Sequence, residues 1–527
     1  MRLKTLLLAG VLSVGMALPG QAKTLKFAFQ GTVNSMDPYN LNETFTLGFL
    51  GNIYEGLIRR GPGLEIQPAL AERWEVMEPT RWRFYLRKGV KFHDGRPFTA
   101  DDVLFSADRV RADGSDLKTR IAQDTKVIKI DDHTVDFVTS APNPIIHFEW
   151  ASWYIMSKSW AEENNAVKPQ QATGTEENYA TRHANGTGPF MLVSRETGVK
   201  TTAKVNPDWW NNAAKEHNLT EVVFTPIPSD ATRVAALLSG QVDMAYPIPV
   251  QDMKRIDGNA TTRMLVGPEL RTIFLGMDQT RDELLYSNIK GKNPFKDKRV
   301  REAVYRAVDV DAIKKKVMRG LSTPSAMMIA PGINGSSPDF SRIEYDPQKA
   351  KALLAEAGYP DGFEVGMDCP NDRYVNDEAI CIAVVGMLAK VGIKVSLNAQ
   401  PKAKYFQKIL APKLDTSFYL LGWTPGSFDS WNPLYNLHAC YREDEGQGKF
   451  NLGGYCNPEV DALTAEILSE TDAKKRGALM REVWGKTIED IAYVPLHQQA
   501  VAWGVGSKVD LKQRADNVFR WRHVKVQ

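Results

Sequence analysis

Trp82-Arg-Phe-Tyr-Leu-Arg-Lys-Gly-Val-Lys-Phe-His-Asp-Gly-Arg-Pro-Phe-Thr-Ala-Asp-Asp-Val-Leu-Phe-Ser106 reads as a strand, a turn and a capped helix in succession. Trp82, Phe84 and Leu86 alternate with Arg83, Tyr85 and Arg87, the period-two pattern of a strand with one buried face. His93-Asp94-Gly95 supplies the turn. Thr99 is placed to cap a helix, with Asp101 and Asp102 in its electropositive first turn. Nothing in the segment is arranged for catalysis. It lies within a β-rich region that runs from about residue 60 to 200. Within that region Val127-Ile128-Lys129-Ile130 turns at Asp131-Asp132 and returns through Val135-Asp136-Phe137-Val138. A second hairpin follows Gly186-Thr187-Gly188-Pro189-Phe190 and turns at Thr197-Gly198.

Upstream, residues 24–30 read as a strand with Leu25, Phe27 and Phe29 on one face. A loop through Asp37-Pro38 and Asn42-Glu43-Thr44 leads to a helix expected to hold Ile53 and Leu57. From about residue 220 the texture becomes α/β: Val222-Val223-Phe224 is a strand, and Ser229 caps a helix containing Val234 and Leu237. Past 284 helices dominate, with Val300, Val304, Ala307 and Ile313 expected as one apolar stripe. Asp346-Pro347 and Asn457-Pro458 each start a helix by a capping side chain and a proline at the first position. Residues 517–527 read as a short strand returning to a sheet.

The chain opens with Arg2 and Lys4, an apolar run from Leu6 to Leu18, then Pro19-Gly20-Gln21-Ala22. That is the pattern of a secretory leader over residues 1–22, too short for a membrane span of roughly 20 apolar residues. No cysteine stands near the cleavage point, so an exported protein with no lipoprotein anchor, starting near Lys23, is expected. The remainder should form two or three cores, at roughly 100–200 residues per domain. With 66 Lys plus Arg against 63 Asp plus Glu, nucleic acid and anionic membrane are poor partners. Four cysteines allow three connectivities. Local pairing, Cys369 with Cys381 and Cys440 with Cys456, is preferred; each bond would close a loop of about 15 residues, worth about 3 kcal/mol. No Cys-x-x-Cys pair favours a metal site instead.

Four further blocks join the opening segment in a family resemblance. Tyr54-Glu55-Gly56-Leu57 with Pro68-Ala69-Leu70-Ala71-Glu72-Arg73-Trp74 is the first, and Gly186-Thr187-Gly188-Pro189-Phe190 with Asn206-Pro207-Asp208-Trp209-Trp210 the second. Asn293-Pro294-Phe295-Lys296-Asp297-Lys298-Arg299-Val300-Arg301 is the third, and Tyr345-Asp346-Pro347 through Ala357-Gly358-Tyr359-Pro360 the fourth. In this order they resemble the periplasmic solute-binding proteins of family 5, which serve dipeptide, oligopeptide and nickel ABC importers. The resemblance implies an α/β fold with two lobes, a type II, cluster C clamp that closes on its ligand like a Venus flytrap. Residues 23–283 and 502–527 would form the first lobe, with the β-rich subdomain inserted in it, and residues 284–501 the second. It also implies a monomer that carries a peptide or peptide-like solute to an inner-membrane permease, with no cofactor and no catalysis. The absence of Gly-x-x-x-x-Gly-Lys-Ser/Thr and Gly-x-Gly-x-x-Gly agrees with that.

The resemblance places the ligand against Gly422-Trp423, so Trp423 and Thr424 are candidate contacts. Relatives that grip a free amino terminus carry an aspartate three residues beyond this Trp, where this chain has Gly426. Asp429 could replace it if the loop folds back, or could be an ordinary loop cap. Without an aspartate in reach, the ligand would lack a free amino terminus, because a desolvated ammonium needs a paired charge. Arg373 stands about where dipeptide-binding relatives hold the ligand carboxylate, a task suited to a guanidinium fork. A bond between Cys369 and Cys381 would staple its loop. Asn42, Glu43 and Thr44 are candidate polar contacts from the first lobe. The alternative reading is a carrier of a nickel chelate, with His438 near the candidate loop, or of an amino-acid conjugate without a free amino terminus. Ser287-Asn288-Ile289-Lys290 matches a Ser-x-x-Lys pattern, but no Lys-Thr-Gly accompanies it.

Overall fold

The computed structural model describes residues 23–171 and 177–527, so the leader read from the sequence lies outside the described residues. Among them, no helix is long and apolar enough to cross a membrane. One mixed, eleven-stranded sheet runs through the molecule. Its two longest strands, Thr262–Met277 and Val494–Gly506, pair antiparallel at the centre, from Thr262 opposite Gly506 to Leu275 opposite Val494. The ladder is interrupted between Pro268 and Thr272. Pro268 has no N–H to donate, which suits it to such a break.

On one side of that break Val494–Gly506 pairs with Met244–Tyr246, and the sheet continues through Thr24–Phe29, Glu221–Pro226, Lys200–Val205 and Phe190–Glu196. On the other, Thr262–Met277 pairs with Phe418–Trp423, followed by Phe363–Pro370 and Ile393–Gln400. Two lobes result, each with its own apolar interior. The larger core of the first draws on residues 25–246 and 501–524, and the two of the second mainly on residues 250–496.

A separate four-stranded sheet carries the segment that opens the sequence reading. Its order is Ala71–Glu78, Arg81–Leu86, Thr134–Val138, Lys126–Asp131. Trp82, Phe84 and Leu86 are buried, with Phe84 against Phe137 and Trp150 at 5.5 and 5.3 Å between ring centres. Across the pleat, buried Asp136 accepts from Arg83 at 2.7 and 2.9 Å. Thr99 and Asp102 cap the helix Ala100–Arg111 reciprocally. Both local disulfides, Cys369–Cys381 and Cys440–Cys456, are formed.

Three sequence expectations need correction. The first helix is Thr44–Leu50 and stops before Ile53 and Leu57. Asn52 ends it by donating from its amide to the carbonyls of Gly48 and Phe49, both at 3.1 Å, which satisfies acceptors the helix leaves open. Ile313 does not continue the stripe of Val300, because that helix closes at Ala307 and Asp309 caps a new turn through the Ala312 N–H. At the end of the chain only Lys525–Val526 is a strand, paired with Val509–Asp510. The residues before it are used differently: Trp521 packs edge-on against Phe49 at 5.0 Å inside the first core.

The capped helix also anchors the loop that leads to residues 42–44. Its Arg109 grips both oxygens of Asp37, at 2.8 and 2.5 Å, and both side chains are fully buried. Removing one partner of such a pair leaves a charge in a dry interior. Arg109→Met is therefore expected to cost about 3–5 kcal/mol, read as a lower midpoint in urea unfolding.

Candidate functional site

A cavity of about 130 Å³ lies between the lobes. The strand Phe418–Trp423 ends at it, so that Trp423 and Thr424 enter one wall, while Asn42, Glu43 and Thr44 enter the opposite one. Trp423 is held by a 2.9 Å bond from its indole N–H to Asn432 Oδ1, and its ring lies 5.0 Å from that of Phe450. Thr424 Oγ1 is buried without a protein partner.

Glu43 ties the walls together. Its carboxylate caps the helix Thr44–Leu50 by accepting from Phe45 N and Thr46 N at 3.0 and 2.8 Å. The same oxygens meet Arg373 at 2.9 Å and Lys402 at 3.2 Å, both from the second lobe. All three side chains are buried. Burial opposes the Glu43 charge, but Arg373, Lys402 and the two helix N–H groups outweigh it and hold the carboxyl well below the usual carboxylate range. Burial pulls the Lys402 ammonium below its ordinary value, with Glu43 opposing. The loop carrying Arg373 is fixed by Asp377, which accepts from Arg373 N and Tyr374 N at 2.9 Å each. The Cys369–Cys381 bond closes the same loop.

The rest of the lining is strongly cationic. Arg60, Arg120, Arg514 and Arg520 join Arg373 there. Arg514 is matched by Asp516 at 2.9 and 2.5 Å, and Arg120 by Glu149 at 2.6 Å. Arg60 donates to the carbonyls of Leu64, Phe148 and Gly426 and lies 3.9 Å over the Phe428 ring. Arg520 reaches Tyr154 Oη at 3.4 Å. Among the described residues neither Arg60 nor Arg520 has a carboxylate within 4.0 Å. Burial pulls Arg60 down to about 10, with Asp516 and Glu149 opposing. Both lining carboxylates, Glu43 and Asp516, are already paired with cations of the protein.

Six of the seven residues singled out from the sequence line this cavity: Asn42, Glu43, Thr44, Arg373, Trp423 and Thr424. Asp429 does not, which corrects the idea that it replaces the missing aspartate. Arg476 holds it in a fork at 2.7 and 2.8 Å, and Asn334 and Trp431 N complete its bonds, so it braces the loop from behind. Arg373 is placed in the wall, but its charge is answered by Glu43 rather than standing free. His438 is also elsewhere. It is buried among Tyr455, Trp484 and Tyr493, and burial pushes its imidazole down to about 3, so it is neutral. Sequence reading missed Arg60, Arg120, Arg514 and Arg520. They come from separate segments, and no local pattern marks them.

The Glu43 cluster makes a prediction. Glu43→Gln would leave Arg373 and Lys402 buried without an anion, at a cost of about 3–5 kcal/mol to the arrangement in which the two lobes meet at this cluster. Small-angle scattering should show a larger radius of gyration for the variant than for the native protein. Because the folded carboxyl titrates below its ordinary value, its stabilisation is complete above about pH 5 and is lost as the pH falls below that. The native scattering profile should therefore not change between about pH 5 and 8 on account of this group.

Residues 65–445 match the family described as bacterial extracellular solute-binding proteins, family 5. The dipeptide-binding protein of Escherichia coli is 28% identical over 536 residues, covering 94% of this chain and 92% of that protein. The glutathione-binding protein GsiB of Pectobacterium atrosepticum is 26% identical, covering 93% and 91%. Among solved structures, the periplasmic binding protein DppA of Helicobacter pylori, in complex with the peptide STSA, superposes with a TM-score of 0.84 at 25% identity, covering 96% of this chain and 98% of that one. The binding protein AgaA of A. tumefaciens R10, in complex with agropinic acid, gives 0.83 at 25% identity, covering 96% and 99%. The two-lobed, cluster C fold is common to them and to this chain. By sequence and by fold, the chain belongs to the bacterial extracellular solute-binding proteins of family 5.

Proposed function

We propose that this chain is the periplasmic binding component of an ABC importer, taking up a peptide or peptide-like solute between its lobes and passing it unaltered to an inner-membrane permease. The domain bounds at 283 and 502, the secretory leader and the monomeric state belong to this reading. The names of the relatives support its ligand class.

The observation that carries the finer part is the charge of the chamber. A free peptide amino terminus needs an unengaged carboxylate, and both carboxylates in the lining are engaged. At Gly426, where amino-terminus-binding relatives carry aspartate, a Cβ would stand 3.0 Å from Arg120. The chain offers a guanidinium where those relatives offer an anion. Arg60 and Arg520, with no carboxylate of their own, favour an anionic solute. The preferred ligand is therefore a peptide-like molecule with a carboxylate and a blocked or absent ammonium. His438, shut into the second-lobe core, gives the nickel reading no support.

Native mass spectrometry with a mixed dipeptide pool and its N-acetylated copy tests this. The acetylated pool should bind at least as well as the free one. Binding confined to free amino termini would refute the charge argument. A second expectation concerns the stapled loop. Cys369→Ala combined with Cys381→Ala should lower stability by about 3 kcal/mol and weaken ligand binding several-fold, because the Arg373 loop must then be ordered on binding. Unchanged affinity would separate the disulfide from the site.

A further inference from the structure

Beyond the Arg120–Glu149 pair lies a larger cavity, of about 580 Å³, between the β-rich region and the helix Pro458–Ser469. Arg120 lines both spaces. From the chamber side Asn432 donates to both oxygens of Glu149, at 3.1 and 3.2 Å. The partition thus includes a contact between side chains of opposite lobes.

The larger cavity is built differently from the cationic chamber. Ile145, Ile146 and Leu468 give it apolar walls, and the rings of Trp431 and Tyr435 stack at 4.8 Å beside them. Three of its polar groups, Trp431 Nε1, Thr125 Oγ1 and Thr464 Oγ1, are buried without a partner in the protein. Their side chains belong to residues that are 5%, 2% and 2% exposed. Buried donors and acceptors are rarely left open unless something else completes them. Charged side chains, among them Lys118, Asp124, Asp461 and Glu466, also line it, but most of its surface is apolar; a mostly apolar space with a few convergent polar groups is what a small-molecule site requires.

We infer that this cavity is a second chamber of the same ligand site, taking an apolar tail of the solute whose anionic head lies in the first, with Arg120, Glu149 and Asn432 as the door between them. The inference rests on the ligand class proposed above and extends it to amphiphilic, acylated or aryl-bearing peptide-like anions. The tail displaces the Asn432–Glu149 contact on entry, while Arg120 remains beside the ligand's anionic part. The open polar groups of Trp431, Thr125 and Thr464 meet carbonyl or hydroxyl groups along the tail.

The test uses two pools of N-acylated dipeptides, acetyl and octanoyl, with dissociation constants read by native mass spectrometry. The octanoyl pool should bind at least about tenfold tighter to the native protein, since buried methylenes strengthen binding. Ala465→Trp and, independently, Ser469→Trp place a large ring on the lining of the second chamber. Each should abolish the octanoyl gain and leave acetyl binding unchanged, which also reports that the variant is folded. Equal affinity of the two pools, exclusion of the octanoyl pool, or a gain that survives both variants would overturn the second chamber while leaving the charge reading intact. If neither pool binds, the ligand-class reading fails, and this inference falls with it.

Discussion

One carboxylate holds the interior of this molecule in register. Glu43 completes the start of a helix in the first lobe and simultaneously neutralises two buried cations of the second. A charge so placed is tolerable in a dry setting only with all of these partners present. The consequence reaches beyond stability. With Glu43 fully engaged, the loop around Arg373 has a fixed position, and the chamber has lost one of its two negative charges as a recognition element.

The β-rich insertion supplies much of the remaining electrostatics. Arg109 secures the approach to Glu43 by clamping Asp37, and Arg120 projects into the space beside Gly426. The β-rich insertion thereby contributes to the lining of the cavity between the lobes as well as to the first lobe. The likeness to proteins solved with a peptide and with agropinic acid concerns the frame.

What the sequence disclosed follows the range of the forces involved. Alternation around Phe84, the Thr99 cap and the two disulfides are local, and all three were readable. The early helix end at Gly51 was not, because the apolar run continues to Ile53 and Leu57 and the Asn52 amide that helps close the helix acts through side-chain geometry that the pattern does not show. Of the two readings open for Asp429, the loop cap is the one found, through Trp431 N; the Arg476 fork that holds it could not be read because Arg476 lies 47 residues away. The same holds for the cationic lining. Arg60, Arg120, Arg514 and Arg520 converge only through the folded topology, and each alone resembles a surface residue. Arg373 and Glu43 were both noticed, yet their mutual pairing, across more than three hundred residues, left no trace in either neighbourhood.

The interrupted ladder at Pro268 has a mechanical implication. Around it the backbone changes partners rather than losing them: Leu270 N donates to Ala515 O at 2.9 Å and Gln499 pairs with Ser322, so neighbouring segments pin the two long strands where their own rungs lapse. Side chains such as Glu43 and Glu149 add contacts between the lobes to that backbone connection. Anything that competes for those few groups acts on the seam between the lobes and leaves the shared strands intact.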